Sequence, residues 1–187
     1  MKKIFILLAA SVVTLAANAQ NITQVSKKEM KHEKHQEKKN ERKELRKLEG
    51  TEASYQSKEA FLEAFPNATD VNWSRDKFYD IASFNLNGIH QTAYYDYKSE
   101  LVGTVIPKTF SDLPASAQKW IDKKYAGYEK GRVILFDDNE YNETDMMLYG
   151  LQFQDEDNYF IELQKGTSDI VLQVTPEGNV FYFTEVK

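Results

Sequence analysis

The period of apolar residues along the chain changes three times. An unbroken apolar run from Ile4 to about Ala17 follows Lys2 and Lys3 and ends at Ala17-Asn18-Ala19 before Gln20. A charged start, a short apolar stretch and an A-x-A site predict a secretory signal peptide over residues 1–19, cleaved after Ala19. The run is short for a bilayer-spanning helix and no second apolar stretch follows it, so no membrane span is expected. A mature chain placed in the periplasm or outside the cell is the resulting expectation.

Residues 20–56 lose the apolar signal almost entirely. Met30, Leu45 and Leu48 are the large apolar residues of the charged stretch from Lys27 to Glu49, which leaves no face to bury. Like-charge neighbours such as Glu29 and Glu33 alternate with helix-supporting pairs such as Glu44 and Lys47. The segment reads as a solvated, partly helical or disordered arm.

From Ser57 a helical period appears in Ser57–Phe65, with Ser57 as the expected N-cap, Phe61, Leu62 and Phe65 as an apolar stripe, and Pro66 as the stop. Even spacing takes over in Lys77–Asn87 and His90–Tyr97, joined by Asn87-Gly88, the residue pair favoured in tight hairpins. Leu101–Ile106 follows, closed by Pro107. A second helix is expected after Asp112-Leu113-Pro114, capped by Asp112 or Ser111 and running through Ala117, Trp120 and Ile121 to about Tyr125. Strands are then predicted at 132–136, 145–154, 158–164, 169–174 and 179–186.

Helix followed by neighbouring strands, twice over, predicts an α+β fold. Two tandem helix-plus-antiparallel-strand repeats, 57–107 and 108–187, would form a sheet with helices on one face. By parity Phe78, Ala82, Phe84, Leu86, Ala93, Tyr95 and Tyr97 face the helices with Trp73 and Trp120. Tyr79, Ile81, Tyr94 and Leu148 fall on the opposite, open face.

Charge sharpens the division between arm and domain. Lys27–Glu49 carries ten Lys/Arg against six Asp/Glu, a net of +4, whereas residues 50–187 carry twelve against twenty-three, a net of −11. Interleaved glutamates dilute the polybasic character of the arm, and an exported chain meets little nucleic acid, so no nucleic-acid partner is expected. His32 and His35 lie three apart in the arm but lack a third fixed ligand.

Chemistry is scarce. With no cysteine and three histidines, thiol catalysis, disulfides and Cys-ligated metal sites are excluded. There is no G-x-S-x-G, no phosphate-cradling glycine loop and no histidine after His90. The sequence predicts no catalytic residues, no cofactor, no resident metal and no enzyme. Oxygen ligands for calcium are offered by Asp137, Asn139, Glu143 or Asp145. The EF-hand spacing fails at the sixth position, Asn142, and at the twelfth, Leu148, so a solvated acidic loop is expected instead.

The series Phe65-Pro66-x-Ala68-x-x-Val71-x-Trp73, Tyr79-x-Ile81-x-x-Phe84, Gly88, Ala93-x-Tyr95-Asp96 and Leu113-Pro114-x-x-Ala117, ending at Tyr125, resembles the PepSY-like, beta-lactamase-inhibitor-protein-like secreted proteins of Bacteroidota. The resemblance covers roughly residues 57–187. It implies tandem repeats and a curved sheet able to present a binding face, and it carries over no catalytic residue. The chain departs from the pattern at Lys98-Ser99, where a turn glycine is usual, and in the added acidic loop from Asp137 to Asp145. The expected function is a secreted, non-enzymatic binding or inhibitory module whose sheet face, through Tyr79, Ile81 and Tyr94, meets another envelope or extracellular protein, a peptidase or other hydrolase among them. The alternative is an envelope-associated structural or stress protein whose basic arm contacts anionic surface polymer.

Overall fold

The structure, a computed structural model, describes residues 50–186. The expected signal peptide, most of the arm, and His32 and His35 lie outside the described residues. The described residues belong to one compact unit.

Helix α1 spans Tyr55–Ala64 and is capped by Ser54, whose Oγ accepts from the Ser57 amide at 3.0 Å. The expected cap, Ser57, lies instead in the first turn and is fully buried. Phe61 is 1% exposed, whereas Leu62, next to it and a hundred degrees round the helix, points to solvent. The stripe is therefore Phe61 and Phe65.

Four antiparallel strands follow, β1 (Thr69–Arg75), β2 (Asp80–Leu86), β3 (Ile89–Tyr95) and β4 (Leu101–Lys108). Asn87 and Gly88 join β2 to β3 with φ of +53° and +78°, the left-handed pair that a two-residue hairpin turn requires. Pro107 does not close β4. It pairs with Ile134, but β3 has ended its pairing with β4 at Val105, so the missing N–H faces no ladder.

A 3₁₀ turn at Phe110–Asp112 precedes α2 (Ala115–Lys124). Asp112 caps that turn, accepting from the Thr109 amide at 2.7 Å, while Pro114 occupies the N-cap of α2. Neither Asp112 nor Ser111 caps the helix as expected. Ala117 and Ile121 are buried, but Trp120 is 39% exposed and does not face the sheet with Trp73.

The chain continues through β5 (Glu129–Asp138), a small hairpin of β6 (Met147–Leu148) and β7 (Leu151–Gln152), then β8 (Asn158–Lys165), β9 (Ser168–Val174) and β10 (Val180–Val186). The main sheet has eight strands in the order β1-β2-β3-β4-β5-β8-β9-β10. Both helices pack on one face, confirming the α+β architecture. Phe61 of α1 meets Ala82, Phe84, Ala93 and Tyr95, and Ala117 and Ile121 of α2 meet Val133, Ile161 and Leu172. Trp73 sets its ring edge-on to Phe61 at 5.4 Å.

The opposite face is not open. The predicted strand 145–154 is the β6–β7 hairpin, carried in the excursion between β5 and β8. Met146 and Phe153 are buried against Tyr79, Val105, Ile134, Phe136 and Phe160. Consecutive apolar residues Met146, Met147 and Leu148 do not alternate, so they serve as a cover better than as a half-buried strand. Phe78 joins this cluster rather than the helix face. Gly103 makes room beneath it: a Cβ there would lie 2.6 Å from the Phe136 ring.

Candidate functional site

Three constellations stand out among the described residues. On the covered face, Ile81 pairs with Tyr94 across β2 and β3, and the Tyr79 ring meets Tyr94 edge-on at 5.7 Å. Tyr79 is 4% exposed and its hydroxyl donates to the Asp145 carbonyl at 3.2 Å. Tyr79 therefore lies in a core and offers no surface to a partner, because the hairpin excursion lies over it. Ile81, Tyr94 and Leu148 remain half-buried at the margin of the same cluster. Parity separated the two faces at these positions; what periodicity lacked was any sign that an apolar loop would fold back.

The hairpin is held by its turn. Tyr149 and Gly150 have φ of +50° and +79°, and the Tyr149 hydroxyl donates to Glu162 at 2.8 Å. A tyrosine in the left-handed region is strained and is retained by these contacts. Burial, then the Glu162 bond, pushes its phenol up.

At the base of the excursion Asp138 and Asp155 bring their carboxyl groups together. Burial first, then the hydrogen bond and charge of Asp155, pushes Asp138 up to about 7. The Asp138 amide donates to Asp157 at 2.8 Å.

Beyond this pair the chain forms a pinned turn. Asn139 accepts at its carbonyl from the Asn142 amide at 2.8 Å, and its side-chain amide donates to the Leu101 carbonyl at 2.7 Å. Asn142, 5% exposed, donates to the same carbonyl at 3.1 Å and accepts from the Thr144 amide. Tyr141, held between them, is 97% exposed. Glu140 and Glu143 flank it, both exposed. Glu140, Glu143 and Asp145 of the acidic loop are exposed, as expected, whereas Asp138 is partly buried and the asparagines are structural. Among the described residues no three His, Asp or Glu side chains gather to hold a metal ion. The sequence signal for Tyr141 is an aromatic residue inside a charged, asparagine-rich loop, whereas strand parity points to Tyr79 and Tyr94.

The third constellation is the β10 margin of the sheet. A groove of about 340 Å³ is lined by Ser116, Trp120, Gly178, Asn179, Val180 and Phe181. Gly178, at φ +89°, permits the close approach: a Cβ would fall 2.1 Å from Ser116 Oγ. The Lys124 ammonium sits 4.4 Å from the Trp120 ring centre. Phe181 and Tyr182 are more than half exposed.

Neither a sequence-family description nor a curated relative matches the chain. Solved structures do. A BLIP-like protein from Bacteroides fragilis aligns with a TM-score of 0.56 at 16% identity, over 71% of this chain and 86% of that one. The fold is the BLIP-like fold. A DUF2874 family protein from Bacteroides uniformis shares it with a TM-score of 0.59 at 18% identity, covering 72% and 90% of the two chains. A candidate periplasmic protein from Bacteroides eggerthii gives 0.57 at 19%, covering 71% and 90%. Likeness at this identity concerns the BLIP-like architecture alone. Among the described residues no helix is long and apolar enough to cross a membrane.

Proposed function

We propose that the protein is an exported, non-enzymatic binding or inhibitory module that docks onto another envelope or extracellular protein, a peptidase or other hydrolase being the class in view. The observation that carries this reading is Tyr141, a wholly exposed aromatic ring on a turn whose two asparagines are fixed to the backbone of Leu101. An aromatic anchor held in place before contact loses little conformational entropy on binding, and tyrosines are enriched among the residues that dominate interface energies. Glu140 and Glu143 beside it favour a partner pocket with a basic rim.

The experiment compares wild-type chain with Tyr141→Ala as bait in the native envelope fraction, with the captured protein then purified for a direct affinity measurement. A loss of about 30-fold or more in Tyr141→Ala, with Ile81→Ala and Tyr94→Phe near wild type, supports the reading. Equal affinity of Tyr141→Ala for the purified partner would reject it.

The charge asymmetry favours a second reading, in which the arm, at +4, contacts anionic surface polymer. Retention on the cell surface would then be released by salt and abolished by deleting residues 27–49.

A further inference from the structure

The two outer strands of the sheet differ in how they meet solvent. β1 carries Asp70 and Arg75, and Asp70 breaks the ladder at φ +54°. Charged side chains and backbone breaks are the usual protection of an edge strand against pairing with another chain. β10, at the other margin, reads Val180-Phe181-Tyr182-Phe183-Thr184-Glu185-Val186, with one charge in seven residues. It too has an irregularity against β9, between Tyr182 and Thr184, yet Phe181, Tyr182 and Val186 are 54%, 57% and 41% exposed.

This margin also has a polarity. Its beginning lies beside α2, where Lys119, Lys123 and Lys124 are exposed around Trp120. Asp122, the acidic residue of α2, is paired with Lys130. Glu177, in the preceding turn, takes a hydrogen bond from Thr175. At the far end of β10 Glu185 is exposed and Asp169 stands opposite Val186 on β9, with Lys187 the next residue in sequence.

We propose that the β10 edge is a self-association surface, occupied by β10 of a second copy of this chain running antiparallel about a two-fold axis near Phe183. Only an antiparallel pair sets Glu185 and Asp169 of each copy against the lysines of the other. It also carries each Val186 toward the Trp120–Phe181 groove of its partner and sets Phe181 opposite Glu185 and Tyr182 opposite Thr184 across the join. A parallel pair would set like charge on like. Two eight-stranded sheets become one continuous sheet, and the row of unpaired backbone groups is satisfied on both copies.

The test is sedimentation velocity of the full exported chain from about 1 to 200 μM at low and high salt. A reversible dimer is expected, with a dissociation constant in the micromolar range that weakens about tenfold or more at high salt. Phe181→Glu and Thr184→Pro should be monomeric across that range, with circular dichroism and melting checked for a retained fold. The surface change Lys119→Glu/Lys123→Glu, which removes no buried group, should weaken dimerisation about tenfold, and adding Glu185→Lys should restore much of it. A wild-type chain monomeric at 200 μM would overturn the proposal. So would a dimer indifferent to Phe181→Glu and to the charge changes, or an edge that becomes protected from amide exchange only when a different protein is added. Tyr141 lies outside this surface, so Tyr141→Ala should leave the dimer unchanged.

Discussion

Asp80 is the carboxylate through which α1 is fastened to the sheet, and removing it should nearly detach the helix. It is 2% exposed and receives the Arg75 guanidinium through two nitrogens, the Ser54 amide at 3.0 Å and the Ser57 hydroxyl at 2.8 Å. Burial alone would raise Asp80, but the Arg75 bond, the Ser54 and Ser57 bonds and the Arg75 charge outweigh it and hold the carboxyl below its ordinary value. Asp80→Ala takes the Asp80 carboxylate from a guanidinium side chain that is 6% exposed, and the acceptor from the Ser54 amide and the Ser57 hydroxyl. Breaking a buried ion pair from one side costs about 3–5 kcal/mol. In a domain of this size that is a fall of roughly 10–15 °C in melting temperature. Urea unfolding followed by circular dichroism measures it, with hydrogen exchange reporting early opening of Tyr55–Ala64. Adding Arg75→Met to Asp80→Ala should recover about 1–2 kcal/mol, since the buried charge that Asp80 neutralised is then removed as well. Because the folded carboxyl is depressed, its contribution is fully present above the unfolded value of about 3.9 and is lost as pH falls through the folded one. A loss under about 1 kcal/mol for Asp80→Ala, or strictly additive effects in the double variant, would refute the clamp.

Asp138 gives the opposite pH sign: its folded carboxyl, raised to about 7, contributes stability that is full below the unfolded value of about 3.9 and declines as pH rises through 7. Asp155→Asn should flatten the fall in stability between pH 5 and 8, as measured by urea midpoints, and an unchanged slope would show that the pair shares no proton. Ser99 holds φ +66° while its hydroxyl meets Ser54 Oγ at 2.8 Å. Ser99→Gly relieves the backbone and loses that bond, whereas Ser99→Ala loses the bond and keeps the strain, so the glycine variant should be more stable than the alanine by about 1 kcal/mol in thermal melts. The reverse order would mean that the left-handed backbone at Ser99 costs alanine less than glycine loses in chain entropy.

The main strands, both helices and the Asn87-Gly88 hairpin were legible because local period and turn chemistry act over a few residues. Ala82, Phe84 and Ala93 fell on the helix face for that reason. The errors share one cause, which is distance in sequence. Ser57 looks like a cap until Ser54 is seen to be held by Asp80, 26 residues on. Tyr79 looks exposed until Met146 and Phe153 arrive from the far side of β5. Trp120 has the residue type of a core position, but Ala117 and Ile121 already fill the sheet-facing side of α2. Tyr141 could be assigned only once Asn139 and Asn142 were seen to reach back to Leu101, about forty residues earlier.

The strand order carries a consequence for how the chain acquires its shape. Every strand of the main sheet joins the main-sheet strand that precedes it in sequence, the β6–β7 hairpin apart. A chain emerging from a ribosome or a translocation pore can lay down β1 to β5 one after another, each addition stabilised by the last. β5 must wait for the α2 connection, and β8 finds β5 only after a similar interval, some twenty residues of excursion. Up to that moment the aromatic face that the hairpin will cover is bare. The interval between completion of β5 and arrival of Phe153 is therefore when the nascent protein has most need of a chaperone.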